Sequence, residues 1–544
     1  MSQIFRLFPL FLVFISLSGC GGGGSNQPAA TPLSISASGI EGGVVLRRAS
    51  TGEEWTITEN GTVSIADFVL DGDIEISVKP TSALQVCRIN GQSDSVTIRA
   101  TDSIDIECDN KILFVSLAGF KLEVADSKLW LVGGNGETQA LAEGRIISLF
   151  SKIGLYHYFD LDNELWRTDG TMEGTVPVEL DGKAFSSSVL DFIRDDNSFF
   201  FIAKDPDEKA FLYEVDSGGV INPILVPERI DISELSIAKV ENNYVFYNRN
   251  EKRFFTIDTN GLISSMLVLE ETETPISTLV YDNELLILTM FEDGVRKLRS
   301  LSGADSQFKI IPLPTSTETP ITADIYGDNT LLFNATQEEG EDKACKIIYR
   351  YKEAVFEVLV DYCNQRTNFT HYATTYHDDR LLILERANSN SELYDLLELD
   401  LSSLTQQTLA SAFDIKGGVS EMTPTNNFLF MKSRTSIEQD CSNFILCNYL
   451  LRYYALSYQT GEIVELVDSN IESGRHWFIS VIHGLNAFKK ATIFDRVFFQ
   501  YTHVEFGLEP WVTDGTVAGT KIVKDIKPGA EYGLFPDVEG ELQN

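Results

Sequence analysis

The stretch SSVLDFIRDDNSFFFIAKDPDEKAFLYEVDSGGVINPILV, residues 187–226, carries the pattern on which the fold turns. It reads as an apolar strand, a polar turn, a strongly apolar aromatic strand, a second turn and two further strands. The same order returns at 235–269, 276–301, 321–360 and 373–401. The second strand is the marked one: SFFFIA, NYVFYN, ELLILT, TLLFNA, RLLILE, FLFMKS and RVFFQY. Asp or Asn usually stands just before it, as at Asp195 and Asn197, Asn242-Asn243, Asp282-Asn283, Asp328-Asn329, Asp378-Asp379 and Asn426-Asn427. Such side chains close tight turns by bonding their own backbone.

Four strands recurring every ~40–55 residues are the pattern of a β-propeller. Each sheet of such a ring is covered on both faces, so its inner strands read as near-continuous apolar runs. No helical period of useful length appears, and no Gly/Ser/Pro-rich break occurs after 112 to separate stacked sandwiches. Eight full units run from 145 to 529, after a partial one at 112–144. The chain is therefore expected to be all-β, with residues 112–544 forming a propeller of eight blades, seven or nine being the alternatives.

Two near-copies of one motif bound this region, ELWRTDGTMEGT at 164–175 and EPWVTDGTVAGT at 509–520, and SKLWLVGGNGET at 127–138 is a faint third. They resemble the ELWxTDGTxxGT repeat of bacterial surface and secreted propeller-like proteins. The residue types point to a folding role. Asp169-Gly170 and Asp514-Gly515 suit a turn with positive φ between a third and a fourth strand. Trp166 and Trp511 suit apolar anchoring between blades. Asp169 and Asp514 as metal ligands or catalytic acids are the sharper alternative, and the Asp-box turns of sialidase-like propellers are comparably structural.

The N-terminal part has its own character. Arg6 precedes an apolar run, Leu7–Leu17, too short for the ~20 residues of a membrane helix and suited to a secretory signal. Leu17-Ser18-Gly19-Cys20 resembles the lipobox of bacterial lipoproteins, which implies a signal peptide at 1–19, lipid on Cys20 and a Gly-rich tether over 20–32. Gly21 in place of Asp implies, by the same resemblance, the outer membrane, with the periplasm or the cell surface as the place the domains face. Residues 33–110 alternate short strands with turns at Gly42-Gly43, Asn60-Gly61 and Asp71-Gly72, as in a β-sandwich. This segment resembles a small Ig-like repeat of bacterial lipoproteins, which implies a spacer.

With Cys20 lipidated, six cysteines remain, an even number that suggests disulfides in an exported chain. Proximity pairs Cys87 with Cys108, Cys345 with Cys363 and Cys441 with Cys447. Zinc is the rival, without Cys-x-x-Cys or His-x-x-x-His spacing to support it.

The net charge of −37 repels nucleic acid and anionic headgroups, so the only membrane contact expected is through the N-terminal lipid. The acid is spread along the chain, as on a solvated surface. Its sharper reading is divalent cation binding, with Asp160, Asp162 and Glu164 in YFDLDNELW as calcium candidates on one strand face; otherwise no cofactor is expected. Six histidines form no metalloprotease pair, and there is no nucleophile elbow, P-loop or dinucleotide fingerprint. His371, His377 and Asp378 are candidates for one loop rim. The reading that fits best is a membrane-anchored lipoprotein whose propeller binds a protein or a polysaccharide. The alternative is a propeller hydrolase or lyase acting on an extracellular polymer.

Overall fold

The computed structural model describes residues between 33 and 528, apart from internal stretches of which the longer are 66–73, 117–126, 185–191, 225–234, 314–320, 364–369, 387–392, 437–447 and 474–490. Strands, and no helix, make up the regular structure of the described residues.

Residues 33–110 form two four-stranded sheets. In one, the first strand, Leu33–Ser38, lies antiparallel to Gly61–Ile65 and parallel to Ile104–Asn110. The two sheets close over one core that includes Ile35, Val44, Leu46, Ile76, Ile89 and Ile106. Cys87 faces Cys108 across neighbouring strands, and the two are joined by a disulfide inside that core.

From 112 onward the sheets repeat. A three-stranded sheet spans 112–144, and eight sheets built on four-stranded meanders follow at 146–177, 192–224, 235–268, 273–311, 321–361, 370–414, 418–473 and 491–522. Within each, strands A to D run in chain order, A beside B, B beside C, C beside D. The A strands of successive sheets approach one another, at 192–195 with 235–240 and at 370–377 with 418–424, so they line the inside. Exposed aliphatic side chains such as Val268, Ile310, Val355 and Val464 sit on D strands, at the outer rim.

Strand B shows why the apolar runs are continuous. In Glu284–Phe291, Leu285 and Ile287 pack into the cluster shared with the preceding sheet, and Leu286 and Leu288 into that shared with the next. Strand Arg380–Arg386 does the same, with Leu381 and Ile383 on one side and Leu382 and Leu384 on the other. Successive side chains alternate across a strand, so a sheet covered on both faces needs apolar residues at every position.

Apolar clusters also close the ring. Phe114 and Val132 of the three-stranded sheet pack with Ile493, Phe498 and Val512 of the eighth four-stranded sheet. Leu113, Leu129 and Leu131, on its other face, pack with Ile146, Phe159 and Leu161 of the first. The large part of the chain is a β-propeller, and the partial unit holds a place of its own between its first and last full units.

The sandwich rests on one end of this ring. Leu155, in the A–B turn of the first four-stranded sheet, meets the sandwich at Gly42, and Gly170, in the C–D turn of the same sheet, meets it at Ala83 and Leu84. At the eighth sheet, Asp109 Oδ2 accepts the N–H of Phe494 at 2.7 Å, and the Arg88 guanidinium lies 4.3 Å over the Phe494 ring. Arg88 also bridges Glu107 at 2.6 Å and Asp495 at 3.4 Å. Lys152 donates to Asn110 Oδ1 at 2.7 Å and contacts Glu41. The end of each sheet that carries its A–B and C–D turns is called the near end below, and the opposite end the far end.

Candidate functional site

Both copies of the repeated motif build the same turn between strands C and D. Thr171 donates its N–H and its hydroxyl to Asp169 Oδ1 at 2.9 and 2.7 Å, and its oxygen accepts the Gly174 N–H at 2.8 Å. Thr516 repeats this with Asp514 at 3.0 and 2.7 Å and with Gly519 at 2.9 Å. Gly170 and Gly515 stand at φ +91° and +89°, where a side chain is strained, and donate to the hydroxyls of Thr168 and Thr513. Each Asp carboxylate folds back against its glycine: a Cβ at Gly174 would lie 2.1 Å from Asp169 Oδ1, and one at Gly519 2.0 Å from Asp514 Oδ1. These carboxylates hold their own turns.

The two copies do not converge. Gly170 sits against Ala83 and Leu84 of the sandwich, Gly515 against the Phe428 ring of the seventh sheet, and the three-stranded sheet stands between the two bearers. Trp166 packs with Phe159 toward the three-stranded sheet, and Trp511 packs with Tyr501 toward the seventh. Beside the first copy an open cleft of about 510 Å³ is lined by Arg167, Val178, Glu179 and Gly219 among others. Arg167 lies 4.5 Å over the Tyr156 ring there, and burial pushes the nearby Tyr158 phenol up to about 12.

The calcium candidates are separated. Asp160 is the last residue but one of its strand, Tyr156–Leu161, Asp162 occupies the turn at φ +56°, and Glu164 opens the next strand. The register pairs Asp160 with Leu165 and Leu161 with Glu164, so Asp160 and Glu164 point to opposite faces of a hairpin. The single strand face expected from YFDLDNELW is corrected by that turn. Asp162 Oδ1 accepts the Arg145 N–H at 2.9 Å. Among the described residues no group of three His, Cys, Asp or Glu side chains can hold a metal ion.

The expected histidine rim is also corrected. His371 and His377 lie at opposite ends of one strand, Thr370–His377, which at ~3.3 Å per residue sets them roughly 20 Å apart. His377 Nε2 meets Asn426 Oδ1 at 3.0 Å at the near end, while His371 is at the far end. Asp378, Cys20, Cys441 and Cys447 lie outside the described residues. The ladder pairs Ile347 with Asp361, and two residues further it brings position 345 opposite 363; Cys363 is disulfide-bonded.

His371 belongs to a titratable cluster at the far end, between the fifth and sixth four-stranded sheets. Its Nδ1 lies 3.3 Å from Lys346 Nζ and its Nε2 lies 2.6 Å from Thr374 Oγ1. A lysine ammonium only donates, so Nδ1 is the acceptor and Nε2 carries the proton. Burial and then the Lys346 charge push the imidazole down to about 3, so it is neutral at physiological pH. The Tyr362 ring stands edge-on to it at 5.7 Å, and the Tyr362 hydroxyl donates to the buried carboxylate of Glu385 at 2.9 Å. A second closed group, Glu273, Thr289 and Arg299, lies in the fourth sheet. Burial alone would raise the Glu273 carboxyl; the bonds from Thr289 and Arg299 hold it below the usual range instead. Sequence reasoning missed Lys346, Tyr362 and Glu385. The one signal was a charge directly after an apolar run, as Glu385 follows Leu384 in RLLILER.

No protein-family model matches the chain, and no curated protein matches it. Solved structures that it is similar to include apo AztD from Citrobacter koseri, 10% identical over 65% of this chain and 94% of that one, with a TM-score of 0.34. An oligogalacturonate lyase in complex with manganese is 8% identical over 56% of this chain and 82% of that one, TM-score 0.32. Oligopeptidase B from Leishmania major is 11% identical over 68% and 53%, TM-score 0.33. Likenesses this remote transfer no ligand, metal or reaction to this chain.

Proposed function

We propose that this chain is an envelope protein held to the outer membrane by lipid on Cys20, and that the far end of its propeller binds a protein or polysaccharide partner. The observation that carries the reading is the inequality of the two ends. At the near end, under the sandwich, A–B connections are as short as 154–155, 282–283 and 494–495. From the far end leave the long connections 225–234, 312–320, 362–369, 437–447 and 474–490. Binding residues concentrate on elaborated loops carried by a rigid scaffold. The tether joins the sandwich, so the near end is turned to the anchor and the far end away from it.

Two experiments test this. Cys20→Ala is expected to move the protein from the membrane fraction to the soluble one; a variant that stays membrane-bound refutes the anchor. The mature chain is then probed against a panel of envelope polysaccharides and purified envelope proteins. Binding should be lost when 437–447 is replaced by a short Gly-Ser link and kept when the exposed near-end Met172 and Val517 are changed to Ser. Binding that follows the near-end changes, or cleavage of a polysaccharide, refutes it.

A further inference from the structure

The copies of the repeated motif differ at one position that faces the next sheet of the ring. The residue after the tryptophan is Leu131 in the faint copy, Arg167 in ELWRTDGT and Val512 in EPWVTDGT. The register makes the three equivalent. Trp130, Trp166 and Trp511 pair with Phe114, Phe159 and Phe499, and one step on Leu131, Arg167 and Val512 pair with Leu113, Tyr158 and Phe498. Leu131 is buried against Ile146 and Leu161 of the next sheet, and Val512 against Phe114 of the sheet that follows it. Arg167 shares its face with Leu165, which packs with Phe201, Tyr213 and Val215 of the second four-stranded sheet. A guanidinium thus stands where the other copies place an apolar side chain between two sheets. Tyr158 in place of Phe498 is a second polar change in the same layer.

The first and second four-stranded sheets part at this layer. The cleft of about 510 Å³ opens there, a size that suits a small-molecule site. It lies at the near end and toward the outer rim, between strand D of the first sheet and the C–D turn and strand D of the second. Val176, Val178 and Ile221 give it aliphatic walls. Gly219 closes it tightly on one side, since a Cβ there would lie 3.3 Å from Tyr158 Oη and from Tyr156 Cδ2. Glu179 also lines it and is exposed.

The charge of Arg167 is unbalanced. A half-buried cation is costly unless it is paired. The half-buried Arg88, Arg350, Arg380 and Arg452 each pair with a glutamate. Among the described residues no carboxylate pairs with Arg167, in a chain with 80 acidic and 43 basic residues. Its guanidinium lies 4.5 Å over the Tyr156 ring and acts on the Tyr158 phenol. A ring covers the face of a guanidinium and leaves its N–H edge open to take a carboxylate through two hydrogen bonds. Glu179 and the net charge of −37 oppose a multiply charged anion. The chemistry that remains is one carboxylate on a small aliphatic body. An apolar amino acid carries both on one carbon.

We propose that this cleft binds the α-carboxylate of an apolar amino acid through Arg167, with the aliphatic side chain against Val176, Val178 and Ile221. The ligand is either the free amino acid or the last residue of a peptide. The site is at the near end and independent of the far-end partner.

The test is calorimetric titration of the full mature chain with leucine, acetyl-glycyl-leucine, leucinamide and inorganic phosphate. Saturable binding of leucine or of the acetylated dipeptide below about 10 mM is expected, and the one that binds more tightly names the source. Neither binding, or leucinamide or phosphate binding as tightly, overturns the proposal. Arg167→Val installs the residue of the other copy, and thermal unfolding shows whether the fold is kept. It should weaken binding about ten- to a hundredfold, with Arg167→Lys between it and the native chain. Unchanged affinity in Arg167→Val, or a loss in Arg167→Lys as complete as in Arg167→Val, overturns the role of Arg167.

Discussion

Acidification should loosen the far end of the fifth and sixth four-stranded sheets through His371, and the size of the effect follows from its surroundings. The imidazole titrates near 3 when folded, held down by burial and by Lys346, against 6.5 when exposed. The folded value lies below the unfolded one. The contribution of the neutral imidazole is therefore whole above pH 6.5 and is lost as pH falls from 6.5 toward 3. Between pH 7 and pH 5 the loss is about 2 kcal/mol, because the unfolded chain takes up a proton that the folded one refuses. Other groups titrate over this range, so the measured quantity is a difference. Urea unfolding at pH 7 and pH 5 is compared between the native chain and His371→Gln, which keeps polar atoms but does not titrate. The native chain should lose about 2 kcal/mol more than the variant. Lys346→Met should remove only part of that excess, since burial is the larger cause. Selective ¹³C labelling of the six histidines gives the direct reading, with the His371 signal assigned by its loss in the variant. Equal pH dependence in both proteins, or a His371 signal titrating near 6.5, would refute the reasoning.

Three further outcomes follow from the turns and the docked sandwich. Gly174→Ala should cost about 1–3 kcal/mol by driving the Asp169 carboxylate off Thr171, and much less in an Asp169→Ala background; additive costs in thermal unfolding would contradict this. Gly170→Ala and Gly515→Ala share the same backbone strain but meet different neighbours. The first alone should speed protease cleavage at the sandwich boundary near Lys111, and equal cleavage in both would contradict the docking geometry. Arg88→Ala should raise the radius of gyration in small-angle scattering if the sandwich swings free, with a cost of about 1 kcal/mol or less for its part-exposed link to Asp495; loss of the propeller's own thermal transition would contradict a role confined to docking.

The sequence determined the features that a few neighbouring residues settle. The period, the strand order and the marked B strand were legible because a sheet covered on both faces needs an unbroken apolar run, as at Leu285–Leu288. The motif turns were legible because Asp169, Gly170 and Thr171 bond within seven residues of chain, as do their counterparts at Asp514. Tertiary structure decided what depends on register and on which ends meet. A turn at Asp162 put Asp160 and Glu164 on opposite faces of a hairpin. The direction of one strand separated His371 from His377, while the packing of two sheets brought Lys346, Tyr362 and Glu385 to His371. The place of the partial unit was decided by contacts between its Phe114 and the eighth sheet's Phe498, residues nearly the whole ring apart in sequence. No local pattern records such contacts, because what they stabilise exists only once the ring has closed.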